Sequence, residues 1–202
     1  MTTRSYSSPV RAAAAAEKRE RVLQAAMQFL RESDSAANFS LEMVAKLAGV
    51  TRLTVYNQFG SRRGLMEAVF DEIALRGQMG RLRHVREQAD PREGLDQLVQ
   101  ICCEFWSSDP ALRHIYDAMA PDQEFAQALT ARNERRRQLI ASLVEKVAGK
   151  GTRVQPRRDA VDLIFALTGF AMFRQLAEGR SASEVSVLIR VAAHAALDRL
   201  AK

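Results

Sequence analysis

The stretch VAKLAGVTRLTVYNQFGSRR, Val44 to Arg63, decides the fold of this chain. It holds two short helical segments separated by Gly49, where a helix ends easily because a left-handed backbone costs glycine little. Thr51 is suited to cap the second helix only two residues later. So short a connection forces the two helices to cross steeply, and Ala45 is small enough to let them approach. The spacing therefore predicts a helix-turn-helix, a unit whose second helix enters the DNA major groove.

The residues on either side set the ends of these helices. Ser40 is expected to cap the first helix, while Phe39 and Val44 have the spacing of a hydrophobic staple. After the second helix, Gly60 turns the chain and Ser61 is expected to cap the next helix. The first turn of that helix has free N–H groups, which favour an anion. We therefore expect a phosphate to bind there.

The distribution of charge favours the same partner. The 202-residue chain has a formal net charge of +6, and residues 43–66 contain Lys46, Arg52, Arg62 and Arg63 but no Asp or Glu. A basic segment without acids favours contact with DNA phosphates. A second basic cluster, RNERRR at residues 132–137, is expected instead to be a solvated helix face.

Helical periodicity runs through nearly the whole chain, and no stretch alternates as a strand does. The fold is therefore expected to be all-α, with about nine helices, one of them continuous over residues 157–178. We expect a disordered tail (1–13), a helix-turn-helix domain (14–60), a connecting helix (61–80) and a C-terminal effector-binding and dimerisation domain (81–202). The hydrophobic content of 47% is sufficient for a buried core.

Several classes of protein are disfavoured. The chain has no apolar run of about 18 residues and a poor secretory signal, so we expect a cytoplasmic protein with no membrane partner. Adjacent Cys102 and Cys103 are expected to be packed thiols rather than a disulfide or a redox sensor. No metal-binding, nucleotide-binding or hydrolase motif is present, so we expect no enzyme activity, no cofactor and no metal site.

Residues 39–70, FSLEMVAKLAGVTRLTVYNQFGSRRGLMEAVF, closely resemble the DNA-binding signature of TetR-family bacterial transcription regulators. The matching positions are Phe39-Ser40, Ala48-Gly49-Val50-Thr51, Tyr56–Phe59 and Ser61–Leu65. The segment Arg19–Leu30 is similar to the first helix of that family. The resemblance implies a homodimeric repressor on a palindromic double-stranded DNA operator, with a C-terminal body that binds a small effector and then releases the DNA.

The resemblance also implies which side chains contact DNA. By position, Thr51, Tyr56 and Arg62 are expected on phosphates. We expect Arg52, Thr54 and Asn57 to contact base edges. Arg19 and Gln58 complete the set of residues expected to contact DNA. Leu53 and Gln58 differ from the residues common in the family, so no operator sequence is carried over.

The C-terminal body carries bulky side chains that would suit a pocket for an apolar or aromatic effector. The alternative is that these side chains are simply core. The expected pocket residues are Phe105, Trp106, Tyr116, Met119, Phe125, Phe170 and Phe173.

The last two helices are the expected dimer face. Residues 160–177 are apolar nearly all round, so a partner chain is needed to cover them, and residues 185–200 carry one apolar stripe. Two such helices from each subunit would form a four-helix bundle. The expected interface residues are Phe165, Gly169, Met172, Leu188, Ala192 and His194.

One alternative function stays open at this point. The regulator could answer to a protein partner, or to no ligand, rather than to a small molecule. An enclosed cavity in the C-terminal body would favour the small-molecule interpretation, and a solid core would favour the alternative.

Overall fold

The computed structural model describes residues 9–33, 35–119, 123–149 and 151–201. Within these ranges the chain forms ten α-helices, three short 3-10 helices and no strand, which confirms the all-α prediction. The α-helices are α1 (Pro9–Glu32), α2 (Leu41–Ala48), α3 (Arg52–Phe59), α4 (Arg62–Arg76), α5 (Pro91–Ser107), α6 (Ala111–Met119), α7 (Gln123–Ala148), α8 (Val154–Leu167), α9 (Phe170–Leu176) and α10 (Ala182–Asp198). The 3-10 helices are Ala36–Asn38, Met79–Glu87 and Arg199–Ala201. No helix in the described ranges is long and apolar enough to cross a membrane.

These helices form two compact units. The first combines the described residues up to Ile73 with the segment that contains α6, and the second contains the rest. This differs from the expected division, which put everything after residue 80 into one C-terminal domain. The physical reason is that α6 packs against α1 and the 3-10 helix Ala36–Asn38, where Leu112 and Ile115 are completely buried.

In the first unit, α1 provides one wall of the core through Val22, Met27 and Leu30. The helix begins at Pro9, before the predicted start at Ala14, and residues 11–21 are exposed. The run of alanines at residues 12–16 has a high intrinsic helix propensity, which favours a helix in this exposed part of α1.

In the second unit, α5 is the central helix. It packs against α7, α9, α10 and the 3-10 helix Met79–Glu87. A Cβ atom on Gly94 would lie 3.0 Å from both the Val85 carbonyl oxygen and the Leu143 side chain. Glycine at this position therefore allows the close approach of the 3-10 helix and α7.

The helix predicted over residues 157–178 is wrong, because the chain breaks between α8 and α9. The Thr168 hydroxyl donates to the Ile164 carbonyl at 2.9 Å. The Thr168 carbonyl accepts from Trp106 Nε1 at 3.0 Å and from Arg136 Nη1 at 2.7 Å. These donors from α5 and α7 replace the backbone N–H that a continuous helix would supply.

The expected dimer residues do not lie on one uniformly apolar helix. Leu188 is exposed on α10, and His194 is half-buried beside Asp96, with 2.7 Å between Nε2 and the carboxylate. Half-buried positions are occupied by Phe165, Gly169, Met172 and Ala192. The exposed apolar side chains of α8 and α10 also include Leu163, Val187 and Val191.

Candidate nucleic-acid interface

The ends of α2 and α3 are fixed by the predicted caps. The Met43 N–H donates to Ser40 Oγ at 3.1 Å, and α2 ends at Gly49 with a φ of 63°. The Thr54 N–H donates to Thr51 Oγ1 at 3.1 Å, and α3 ends at Gly60 with a φ of 71°. The left-handed backbone at both glycines confirms the turn chemistry expected from the sequence.

The crossing of α2 and α3 leaves most of α3 outside the core. Ala45 and Val55 are buried, and the Val50 N–H donates to the Ala45 carbonyl at 3.0 Å. Val55 is the only buried residue of α3. The opposite face therefore faces solvent along the whole helix.

That solvent face is the candidate DNA-contacting surface. Arg52, Leu53, Tyr56 and Asn57 are all exposed, with Leu53 at 66% and Tyr56 at 56%. Their spacing of i, i+1, i+4 and i+5 puts them on one side of the helix. Arginine and asparagine hydrogen-bond to base edges, tyrosine hydroxyls bind phosphates, and apolar groups contact thymine methyl groups.

Two of the predicted phosphate contacts also hold the fold together. Thr51 caps α3. Arg62 donates from Nε to the Phe39 carbonyl at 2.9 Å and from Nη2 to the Ala36 carbonyl at 3.2 Å. Its guanidinium also lies 6.0 Å from the centre of the Phe39 ring. Replacing Arg62 would thus disturb the junction between α2 and α4 in addition to any phosphate contact.

The remaining predicted contacts lie at different places around α3. Thr54 is half-buried in the first turn, where its hydroxyl lies 2.9 Å from that of Thr51. Gln58 is half-buried, and its Oε1 atom has no hydrogen-bond partner within the described part of the chain. Arg19 on α1 is exposed and lies 5.1 Å from the centre of the Phe59 ring. Arg19 therefore borders the C-terminal end of α3.

The start of α4 is tightly packed against the end of α3. The Gly64 N–H donates to Ser61 Oγ at 3.0 Å, which confirms the predicted cap. A Cβ atom built on Gly64 would overlap the carbonyl oxygen of Phe59. Glycine is therefore the residue that lets the two helices meet at this turn.

The expected effector residues are divided between the two units. In the second unit, the Trp106 ring lies 4.6 Å from that of Phe105 and 5.5 Å from that of Phe170, and all three are buried. Phe173 is also buried in this unit. Tyr116 belongs to the first unit, where its ring is 6.4 Å from that of Phe70. The side chains of Met119 and Phe125 lie outside the described residues.

One buried charge was missed by the sequence analysis. The cluster at residues 132–137 was expected to be solvated, yet Arg136 is only 7% exposed. Its neighbour Arg137 instead pairs with Asp162 near the surface. The signal that could have found Arg136 is its spacing from Ile140 and Leu143, which places it on the buried stripe of α7.

The two cysteines are buried, as expected. Burial, with a smaller contribution from the nearby Cys102, raises the pKa of the Cys103 thiol to about 12. Among the described residues, no group of histidine, cysteine and acidic side chains could hold a metal ion.

Comparison with known proteins agrees with this geometry. Residues 22–69 match the family model described as bacterial regulatory proteins, tetR family. The nucleoid occlusion factor SlmA of Vibrio atlanticus is 29% identical over 132 residues, which cover 64% of this chain and 62% of SlmA. SlmA of Marinobacter nauticus is 34% identical over 96 residues, which cover 47% of this chain and 48% of that protein. The chain thus spans less than two thirds of the length of these relatives.

Solved structures share the fold over almost the whole chain. NalD, the secondary repressor of the MexAB-OprM multidrug efflux pump in Pseudomonas aeruginosa, aligns with a TM-score of 0.65 and 19% identity, covering 91% of this chain and 96% of NalD. A TetR-family transcriptional regulator from Rhodococcus aligns with a TM-score of 0.65 and 18% identity, covering 92% and 100%. Such identities establish the fold alone. Together with the match over residues 22–69, they lead to the conclusion that the chain has a TetR-like fold whose N-terminal helix-turn-helix is similar to that of the tetR family of bacterial regulatory proteins.

Proposed function

We propose that this chain is a TetR-family regulator, a homodimeric repressor that leaves a palindromic operator when its C-terminal body binds a small apolar or aromatic effector. The observation that carries the DNA part of this proposal is the solvent face of α3. Arg52, Tyr56 and Asn57 stand on it within a segment that contains no acidic residue between positions 43 and 66.

Dimer formation is supported by the exposed apolar side chains of the last helices. Val187, Leu188 and Val191 on α10 are at least 45% exposed, and their spacing puts them on one side of the helix. Leu163 adds a similar side chain on α8. Contiguous exposed apolar side chains mark an interaction surface in a water-soluble fold. A second copy that presents the same surface would give a closed two-fold dimer, which matches a palindromic operator.

Release by an effector is supported by the aromatic cluster of the second unit, in which Trp106 lies between Phe105 and Phe170. The fold shared with NalD, a repressor, is in keeping with negative control. Large aromatic side chains are the usual walls of sites for apolar ligands.

A second candidate has an observation of its own. The curated relatives described above are nucleoid occlusion factors. This favours, as the alternative, a DNA-binding regulator that answers to a protein partner or to no ligand.

The DNA part is tested by selecting duplexes from a random library and measuring their affinity by fluorescence anisotropy. Tyr56→Phe removes only the hydroxyl and should weaken binding to selected and random DNA alike, since phosphates carry no sequence. Arg52→Ala removes a predicted base contact, so it should weaken binding to the selected duplex by about 1–3 kcal/mol and relax the preference at one base position. Asn57→Ala should change which sequence is selected.

Arg158→Ala is the matched control, because Arg158 is an exposed arginine of α8 outside the acid-free segment. It should leave both the affinity and the selected sequence unchanged. Wild-type affinity that is equal for selected and random duplexes would contradict the operator proposal. A selected site without two-fold symmetry would contradict binding as a dimer.

A further inference from the structure

Arg136 on α7 is a positive charge inside the second unit. It is 7% exposed, and its guanidinium lies 4.6 Å from the centre of the Phe165 ring. Nη1 donates to the Thr168 carbonyl, where α8 ends. The end of a helix carries partial negative charge, so this contact offsets part of the arginine charge. A full positive charge in such a place still requires a full negative partner.

In the described ranges, Arg136 contacts uncharged groups: the Thr168 carbonyl, the Phe165 ring and the Cys102 thiol. The Nε atom is enclosed and has no hydrogen-bond acceptor in the described part of the chain. Burial raises the pKa of the neighbouring Cys102 thiol even though Arg136 acts to lower it, so Cys102 stays neutral. The Nε edge of the guanidinium thus keeps one buried donor without an acceptor in the described part of the chain.

That edge has a defined chemistry. Nε–H and Nη2–H point in the same direction, and together they make the paired hydrogen bonds by which arginine holds a carboxylate or a similar oxyanion. Trp106 donates to the same Thr168 carbonyl as Arg136, and its ring lies 5.5 Å from that of Phe170. The Thr168 carbonyl is therefore hydrogen-bonded both to the arginine that could hold an oxyanion and to the tryptophan of the aromatic cluster.

We propose that Arg136 binds the anionic group of the effector, so that the effector is an organic acid whose apolar or aromatic body lies against Trp106 and Phe170. This inference rests on the proposed control by a small molecule and narrows its chemical class. A neutral apolar compound would leave the arginine edge without an acceptor and would bind more weakly than an acid with the same body.

The test compares two fluorescent probes on the full-length protein. Anilinonaphthalene sulfonate is an aromatic acid, and phenylnaphthylamine has the same rings without the sulfonate. Because Trp106 is the single tryptophan of the chain, energy transfer from it is strongest for probe bound near this site. Wild type should bind the sulfonate about tenfold more tightly than the neutral probe, or more, the size expected for a hydrogen bond to a charged group. Equal affinities would overturn the proposal.

Variants connect that preference to Arg136. Arg136→Met should abolish the preference for the sulfonate while leaving the affinity for the neutral probe unchanged, and Arg136→Lys should retain part of it. Arg135→Met is the control, because Arg135 is the exposed neighbour on the same helix. A sulfonate preference that persists in Arg136→Met would overturn the assignment. If Arg136→Met does not fold, the proposal is tested by the other two measurements: the partial sulfonate preference expected of Arg136→Lys and the tenfold preference expected of wild type.

A final measurement separates this inference from the proposed function. The selected DNA duplex is titrated with wild-type protein in the presence of saturating sulfonate probe. Probe binding that depends on Arg136 supports the site whether or not the DNA is released. Unchanged DNA affinity in the presence of bound probe would count against release by an effector, while the oxyanion site would stand.

Discussion

At the scale of single residues, Gly64 shows how tightly the helix-turn-helix unit is built. Its α-carbon lies so near the Phe59 carbonyl that a side chain would overlap backbone rather than a movable group. The Arg62 side chain also ties this turn to the carbonyls of Ala36 and Phe39. The end of α3 and the start of α4 are thereby held as one structure.

We therefore expect Gly64→Ala to lower the free energy of unfolding by about 1–3 kcal/mol, the usual cost of forcing extra atoms into a packed site. The change should appear in urea unfolding followed by circular dichroism. Gly80→Ala is the matched control, because a Cβ atom there would meet no atom within 4 Å and its backbone is not left-handed. Equal stability of the two variants would show that the α3–α4 turn can relax.

At the scale of helices, the sequence predicts features that depend on neighbouring residues but not those that depend on contacts with distant residues. The caps at Ser40, Thr51 and Ser61 follow from residues within three positions, so the sequence alone predicts them. The break after Thr168 depends on donors that are 32 and 62 positions away in the chain, and no local pattern reveals them. The charge of Arg136 indicates an exposed position, whereas its spacing of four residues from the buried Ile140 places it on the buried face of α7.

The Trp106 indole is expected to stabilise that break. Trp106→Phe keeps an aromatic ring but removes the N–H that donates to the Thr168 carbonyl. The expected loss is about 0.5–1.5 kcal/mol for the hydrogen bond, plus a smaller term for the lost ring atoms. Urea unfolding of Trp106→Phe measures the sum. An unchanged free energy of unfolding would mean that Arg136 alone satisfies the carbonyl.

At the scale of the whole molecule, assembly is the property with a direct test. Val191 is 68% exposed on α10, and a glutamate there would put a charge into the proposed dimer surface. Val191→Glu should shift the mass measured by light scattering from dimer to monomer. It should also weaken operator binding, because two half-sites need two linked helix-turn-helix units.

Leu75→Glu provides the control for that experiment, since Leu75 is 74% exposed on α4 and is outside the proposed surface. It should leave the mass at that of the dimer. A wild-type protein that is monomeric at micromolar concentration, or a Val191→Glu variant that is still dimeric, would refute an interface on α10.

The membership of α6 in the first unit has a consequence for anyone who wants to exchange parts between regulators. The chain leaves that unit after α4 and returns to it more than thirty residues later, so Leu112 and Ile115 complete a core that α1 begins. A chimera spliced once, after residue 76, would receive the DNA-contacting helices but would lack the side chains that close their core. A functional transplant therefore requires three splice points, one after α4 and one on each side of α6, so that α6 travels together with α1 to α4.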